Sequence, residues 1–129
     1  MTLAIPSHRA AAVIAVAMTL AGCAEDPILP GAPRVVERLA IAPYASQQQC
    51  VHLLSGDRLD WRYESSAPLG FEIRYEEDDS VLAPVVRERS VADNGTFDAR
   101  EERDYCVRWE AGAAGAFLGY RLLLRRGRR

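Results

Sequence analysis

Three segments of this chain alternate strictly between apolar and polar side chains. Leu59, Trp61 and Tyr63 are separated by charged residues, and the same two-residue period returns over 71–75 and 105–109. Because successive side chains of a β-strand point to opposite faces, each segment would have one apolar and one polar face. Such faces are typical of antiparallel sheets with one side on a core and the other in water. The pattern predicts an all-β domain.

Other segments show weaker strand patterns, and turn-forming residues separate them. The less regular strands are expected at 35–41, 50–54, 81–87, 96–99 and 117–125. Turns rich in Gly, Pro, Ser, Asn and Asp are expected at 55–57, 65–68, 77–80, 93–95 and 112–115. About eight short strands without an amphipathic helix indicate an antiparallel two-sheet β-sandwich.

The amino terminus carries an apolar run over 10–20 that ends in the sequence LAGC at 20–23. The run is about half the roughly 20 residues of a membrane-spanning helix, so it fits the apolar region of an export signal. This terminus resembles a bacterial lipoprotein signal with a lipobox. The resemblance implies that 1–22 is a cleaved helical signal peptide and that Cys23 carries lipid, with several acyl chains holding it in a membrane. An ordinary secretory signal followed by a cysteine is the alternative.

A Pro-rich segment follows the predicted lipid site. Pro27, Pro30 and Pro33 are spaced by three, which favours an extended path of about 3.1 Å per residue. Residues 23–34 are therefore predicted to form a lipidated tether. Residues 35–126 would then form the β-sandwich, and 127–129 a basic tail.

Export would bring Cys50 and Cys106 into an oxidising compartment, where such a pair normally forms a disulfide. Two free thiols are the alternative. The order Cys50, Trp61, Cys106 is that of an immunoglobulin domain, but there the Tyr and Cys lie two apart and share the core face. Here Tyr105 and Cys106 are adjacent and must face opposite ways. We therefore expect the disulfide to fasten a crossing segment to the outside or edge of the sheet.

Four stretches of the predicted domain region carry a family resemblance. The sequences LDWRY at 59–63, SAPLGFEI at 66–73, GTFDA at 95–99 and YCVRW at 105–109 resemble the GOLD (Golgi dynamics) domain. That family is a compact β-sandwich of eukaryotic cargo receptors and lipid-transfer proteins. The resemblance implies a GOLD-like sandwich fold and a general binding role.

Charge excludes one class of partner and leaves another open. The formal charge of the chain is −2. Cleavage after residue 22 would remove one counted charge, that of Arg9, and leave a net charge of −3. A negative net charge argues against nucleic-acid binding. All 16 residues counted as Lys or Arg are arginine. An anionic headgroup or wall polymer is a possible contact for the basic C-terminus, with each charge worth about 1 kcal/mol near an anionic leaflet; a purely compositional tail is the alternative. The residues concerned are Arg121, Arg125, Arg126, Arg128 and Arg129.

Catalytic patterns are absent from the sequence. After the predicted cleavage point the one histidine is His52, on a short apolar strand, and there is no nucleophile elbow or phosphate-binding glycine loop. The acidic run 76–79 lacks the alternate ligand spacing of calcium loops, so we expect no metal and no cofactor. A small hydrolytic enzyme that uses the loop carboxylates Asp57, Asp78 and Asp93 remains a less favoured hypothesis.

These patterns together predict a lipid-anchored binding or scaffolding module of the cell envelope with a protein or glycan partner and no catalysis. A structural lipoprotein whose arginine-rich C-terminus contacts headgroups or wall polymer is the alternative. Ala24 follows Cys23, whereas aspartate there causes inner-membrane retention in Gram-negative lipoproteins. By that resemblance the protein is expected at the outer membrane, facing the periplasm.

Overall fold

A computed structural model describes residues 2–4 and 26–128, and the strands between Arg34 and Arg125 form one antiparallel sheet. The strand order is β1-β6-β3-β5-β2, with β4 paired to β3. The described residues contain no helix, so none long and apolar enough to cross a membrane is found among them. The predicted all-β antiparallel class is thus confirmed, while Cys23 and all of the predicted signal peptide except residues 2–4 lie outside the described residues. The strands are β1 (Arg34–Ile41), β2 (Ser46–Leu53), β3 (Arg58–Glu77), β4 (Ser80–Asp98), β5 (Arg103–Ala111) and β6 (Ala116–Arg125).

Two long strands replace four of the predicted short ones, so that the described residues contain six strands. β3 pairs with β6 over 58–65 and with β5 over 69–74, and β4 runs along both parts. The turns predicted at 65–68 and 93–95 are wrong, because both segments lie inside strands. At 65–68 the residues form a bend, which the register shift between Glu64 and Leu69 accommodates. There Ser66 Oγ accepts a hydrogen bond from Phe117 N at 2.8 Å.

The bend curls the sheet so that its two halves pack their apolar faces together. Trp61 and Phe71, on opposite sides of the bend, have ring centroids 4.2 Å apart. Trp109 on β5 stacks on Tyr120 of β6 at 4.5 Å. Trp109 is fully buried and both Trp61 and Phe71 are at most 3% exposed, which confirms the core face read from the alternation.

Gly95 lies in β4 because the ring of Trp61 occupies the space that a side chain would need. A Cβ at this position would lie 2.6 Å from Trp61 Cζ2. The two residues are direct partners in the β3–β4 ladder. Close approach of another group is a common reason for glycine inside a strand, and here it explains why the Asn-Gly pair marks no turn.

The connections between strands gather at two ends of the sheet. At one end the β1–β2 and β5–β6 connections run side by side, and Tyr44 N donates to Gly112 O at 3.1 Å. At the other end Gly56 N donates to Ala99 O at 2.8 Å, and Arg103 pairs with Glu77 beside the β3–β4 turn. We call this second end, formed by residues 54–57, 78–79 and 99–102, the loop end.

The described part of the predicted tether packs on the domain. Ile28 is 8% exposed and belongs to the core cluster. Gly31 N donates to Leu124 O at 2.9 Å, and the Arg34 guanidinium donates to Asp26 O. Residues 26–33 are therefore docked rather than free, and a turn at 30–31 interrupts the extended path expected from the prolines.

Cys50 and Cys106 form the predicted disulfide, with an S–S distance of 2.03 Å. They are direct partners in the β2–β5 ladder, and β2 is an edge strand. The flanking Tyr105 and Val107 are buried, whereas Cys50 is exposed. The disulfide thus fastens an edge strand on the outer face, as the parity of Tyr105 and Cys106 predicts.

Candidate functional site

A cleft of about 460 Å³ opens at the loop end, where the two halves of the curled sheet meet. It combines aromatic rings with charged groups of both signs. Its lining is Tyr75, Pro84, Phe97, Asp98, Arg100, Glu101, Arg103 and Tyr105.

Three aromatic rings form the interior of the cleft. The ring of Tyr105 meets those of Phe97 and Tyr75 edge to face, with centroids 5.0 and 5.5 Å apart. Tyr105 is buried, its hydroxyl donates to Glu101 O at 2.8 Å, and burial raises its pKa. Phe97 and Tyr75 are only half-buried, so they expose ring surface to a bound molecule. Such rings offer apolar area at fixed positions, which suits a sugar ring or an apolar peptide side chain.

Charged groups around the rings are mostly engaged. The Arg103 guanidinium lies 4.5 Å from the centroid of the Tyr75 ring and binds Glu101 at 2.9 Å and Glu77 at 3.1 Å. These contacts hold the guanidinium over the ring and neutralise its charge. Arg100 is different, because its side chain is exposed and forms no ion pair with another described residue. It is the rim cation that remains open to a ligand.

His52 braces the loop that carries this rim. Its Nδ1 lies 2.7 Å from Asp104 Oδ1 and its Nε2 lies 3.0 Å from Glu102 Oε1. The hydrogen bond to Glu102, followed by that to Asp104, raises the pKa of His52 above its ordinary value. Both ring nitrogens of His52 are thus bound to carboxylates, which fixes the orientation of the ring.

The C-terminal arginines do not act as one free patch. Arg125 pairs with Asp60 at 2.7 Å, and Arg126 pairs with Asp57. Arg121 and Arg128 are exposed, and Arg129 lies outside the described residues. Contact of these arginines with an anionic surface remains a prediction, now with two of the charges held by the domain's own carboxylates.

The three loop carboxylates named for a hydrolytic site have separate surroundings. Asp57 is fully buried and accepts hydrogen bonds from Leu54 N at 2.8 Å and Gly127 N at 3.1 Å. Burial acts to raise its pKa, but these bonds and Arg126 outweigh it and lower the pKa. Asp57 is thus a poor general acid. Asp78 lies in the β3–β4 turn, and Asp93 lies within β4.

The acidic run 76–79 is partly engaged through the Glu77–Arg103 pair. Among residues 2–4 and 26–128, no group of three or more His, Cys, Asp or Glu residues is arranged to hold a metal.

Sequence reasoning missed the cleft as a site. Its members come from the end of β3, from both halves of β4, from the loop before β5 and from the start of β5. The signal available in the sequence was that Tyr75 and Phe97 continue the apolar alternation to the ends of their strands. At a strand end, an apolar side chain of the core face is only partly covered. Only the curling of β3 and β4 shows that these two ends meet.

Comparison with known proteins yields a structural likeness alone. No family model and no curated protein matches the chain. A similar solved structure is the pre-peptidase C-terminal domain of a collagenase from Bacillus anthracis, with a TM-score of 0.53 and 10% identity over 78% of this chain and 99% of that one. A designed double-stranded β-helix has a TM-score of 0.41 and 11% identity, over 73% and 99% of the two chains. The first likeness shows a shared all-β fold.

Proposed function

We propose that this protein is a lipid-anchored, non-catalytic module of the cell envelope that binds a protein or glycan partner in the cleft at the loop end. The supporting observation is the cleft itself: two half-exposed rings, Tyr75 and Phe97, beside the open cation of Arg100. A concave apolar surface with a few polar groups around it is the usual form of a binding site.

The docked N-terminal segment supports a position close to the membrane. Asp26 is three residues after Cys23. The neighbouring Ile28 belongs to the core cluster, and Gly31 N donates to Leu124 O near the loop end. Three residues span at most about 10 Å when extended. If Cys23 carries lipid, the cleft would face a partner near the membrane. By the identity of Ala24, we place this at the outer membrane, on the periplasmic side.

We also propose that the curled sheet is a two-sheet sandwich of the GOLD-like kind. One sheet would contain β1, β6 and the first half of β3. The other sheet would contain β2, β5 and the second half of β3. The contacts of Trp61 with Phe71 and of Trp109 with Tyr120 across the interior support this description.

The structural-lipoprotein alternative receives less support. It needs free C-terminal charges, whereas Asp60 and Asp57 hold Arg125 and Arg126. These ion pairs reduce the charge available to headgroups.

Site-specific photocrosslinking in the cells that produce the protein tests the proposal. A benzoylphenylalanine in place of Arg100 lies on the cleft rim, and one in place of Tyr44, which is 75% exposed at the opposite end, is the matched control. We expect a discrete adduct from position 100 and none from position 44. Protease or periodate treatment of the adduct then distinguishes a protein from a glycan partner.

The anchor is tested in the same cells. Cys23→Ser should remove fatty-acid label, release the protein from the membrane fraction and reduce the adduct from position 100. No adduct from position 100, or equal adducts from both positions, would refute the cleft. Retention of the lipid label in Cys23→Ser would refute the anchor.

A further inference from the structure

Two arginines lie side by side on the outer face of the sheet. Arg62 of β3 and Arg121 of β6 are direct partners in the ladder. Both are exposed, and neither forms an ion pair with another described residue. Directly opposed residues have Cβ atoms about 5 Å apart, and like charges in such a pair are destabilising. The sequence showed Arg62 only as one charged residue of an alternating strand.

Some other arginines of the same sheet have carboxylate partners. Arg58 pairs with Asp98 at 2.9 Å, and Arg108 pairs with Glu110 at 3.0 Å. Arg62 and Arg121 have no such partner among the described residues, although they lie directly opposite each other. An external anion would remove the repulsion between the two guanidinium groups.

The pair borders an elongated groove. A depression of about 400 Å³ contains both arginines, and its floor includes Gly119, which has no side chain to fill it. A second depression of about 450 Å³ shares Glu37, Glu64 and Gly119 with the first and continues to Phe117. The two depressions thus form one groove along the outer face, which we call the outer groove.

A β-bulge shapes one wall of the outer groove. The β1–β6 register shifts between Val36 and Leu39, and Arg38 has a φ of 51°. This conformation is uncommon for a non-glycine residue. It accompanies a position in which the Arg38 guanidinium lies 5.7 Å from the centre of the Phe117 ring, which is 53% exposed. Bulges frequently redirect side chains near binding sites.

We propose that the outer groove binds an acidic saccharide, with a carboxylate held between Arg62 and Arg121. Guanidinium groups bind carboxylates with two parallel hydrogen bonds, which gives the contact direction as well as charge. Glu37 and Glu64 further along the groove can accept hydrogen bonds from sugar hydroxyls, and the exposed Phe117 ring offers a surface for a sugar face. An acidic peptide fits less well, because its further carboxylates would meet Glu37 and Glu64.

Titration calorimetry with the purified full chain in detergent tests this site. The probes are 3′-sialyllactose, which carries a single carboxylate, neutral maltotriose and inorganic phosphate. We expect 3′-sialyllactose to bind, with an affinity that falls as salt rises, since the two arginines are exposed. Arg62→Gln and Arg121→Gln should each weaken binding about five- to tenfold, which corresponds to about 1 kcal/mol. Arg108→Gln, which changes a paired arginine of the sheet, should leave binding unchanged.

Thermal unfolding of the same variants separates binding from folding. Because the two arginines repel each other, Arg62→Gln should have a Tm equal to or above that of the wild type. The proposal is overturned by absent binding, by equal binding of maltotriose, by equally tight binding of phosphate, or by variants that bind like the wild type. These outcomes are independent of the cleft, whose photocrosslinking concerns Arg100.

Discussion

Asp57 should be a major stabilising residue of the domain despite its charge. Its side chain is fully buried, and it holds the C-terminal residues Arg126 and Gly127 against the turn that precedes β3. Removing the carboxylate leaves the part-buried backbone donors Leu54 N and Gly127 N without this acceptor. Asp57→Ala therefore tests how much of the stability depends on this attachment.

The expected loss is about 3 to 4 kcal/mol. Each hydrogen bond from a backbone donor to a charged acceptor contributes roughly 1.5 to 3 kcal/mol, and we take the low end because water can reach the exposed arginine side. The Arg126 side chain is 41% exposed, so its pair with Asp57 adds less than about 1 kcal/mol. For a domain of this size, the loss corresponds to a fall in Tm of roughly 15 to 25 °C.

Urea unfolding followed by tryptophan fluorescence measures this loss, because Trp61 and Trp109 are buried. Asp98→Ala is the control: its carboxylate is 68% exposed and pairs with Arg58 on the surface, so it should cost less than about 1 kcal/mol. If Asp57→Ala and Asp98→Ala lose the same free energy of unfolding, the stabilising role assigned to the hydrogen bonds of Asp57 is refuted.

The pH dependence gives an independent check. The folded pKa of Asp57 is lowered from its ordinary value of 3.8, so its stabilising contribution is present above that value. The contribution is lost as the pH falls through the folded pKa. The difference in unfolding free energy between wild type and Asp57→Asn should thus be constant at neutral pH and shrink below about pH 4. A difference that grows on acidification would contradict the direction of the shift.

Two further predictions concern single contacts. Gly95→Ala should lower the free energy of unfolding in urea by about 1 to 3 kcal/mol, because its Cβ would lie 2.6 Å from Trp61. In the control Gly70→Ala the new Cβ meets nothing nearer than 3.8 Å. Equal losses in the two variants would contradict the contact between Gly95 and Trp61. The pKa of His52, followed by NMR, should lie above 6.5, and Asp104→Asn should lower it. Stabilisation by the imidazolium is therefore present below pH 6.5 and is lost as the pH rises through the folded pKa. An unchanged His52 pKa in Asp104→Asn would show that Asp104 does not raise it.

The parity of side chains along the strands was predictable. Trp61, Phe71 and Trp109 are buried as the alternation indicates, and the outward position of Cys106 follows from its place between Tyr105 and Val107. These features depend on the two-residue period of a strand, which is a local property.

The turns were less predictable, because a local signal can have a tertiary cause. The Asn-Gly pair at 94–95 has turn chemistry, but Gly95 lies inside β4 where Trp61 leaves no room for a side chain. Likewise Pro30 belongs to a segment with a spacer's composition, yet the neighbouring Ile28 reaches the core. Both outcomes depend on residues that are distant in sequence.

The candidate sites depend on such distant contacts even more strongly. The cleft exists because the curled β3–β4 pair brings Tyr75 and Phe97 to one end. The outer groove exists because the ladder places Arg62 opposite Arg121.

The sequence by itself determined the class of fold, the buried face of each regular strand and the pairing partners available to the two cysteines, because these follow from side-chain period and chemistry. Only the tertiary structure decided where β3 bends and that residues 26–33 pack on the domain. It also decided that Arg126 forms an ion pair with Asp57, whereas Arg121 forms none with another described residue. Register between distant strands selects each charge's neighbours, and no local pattern contains that information.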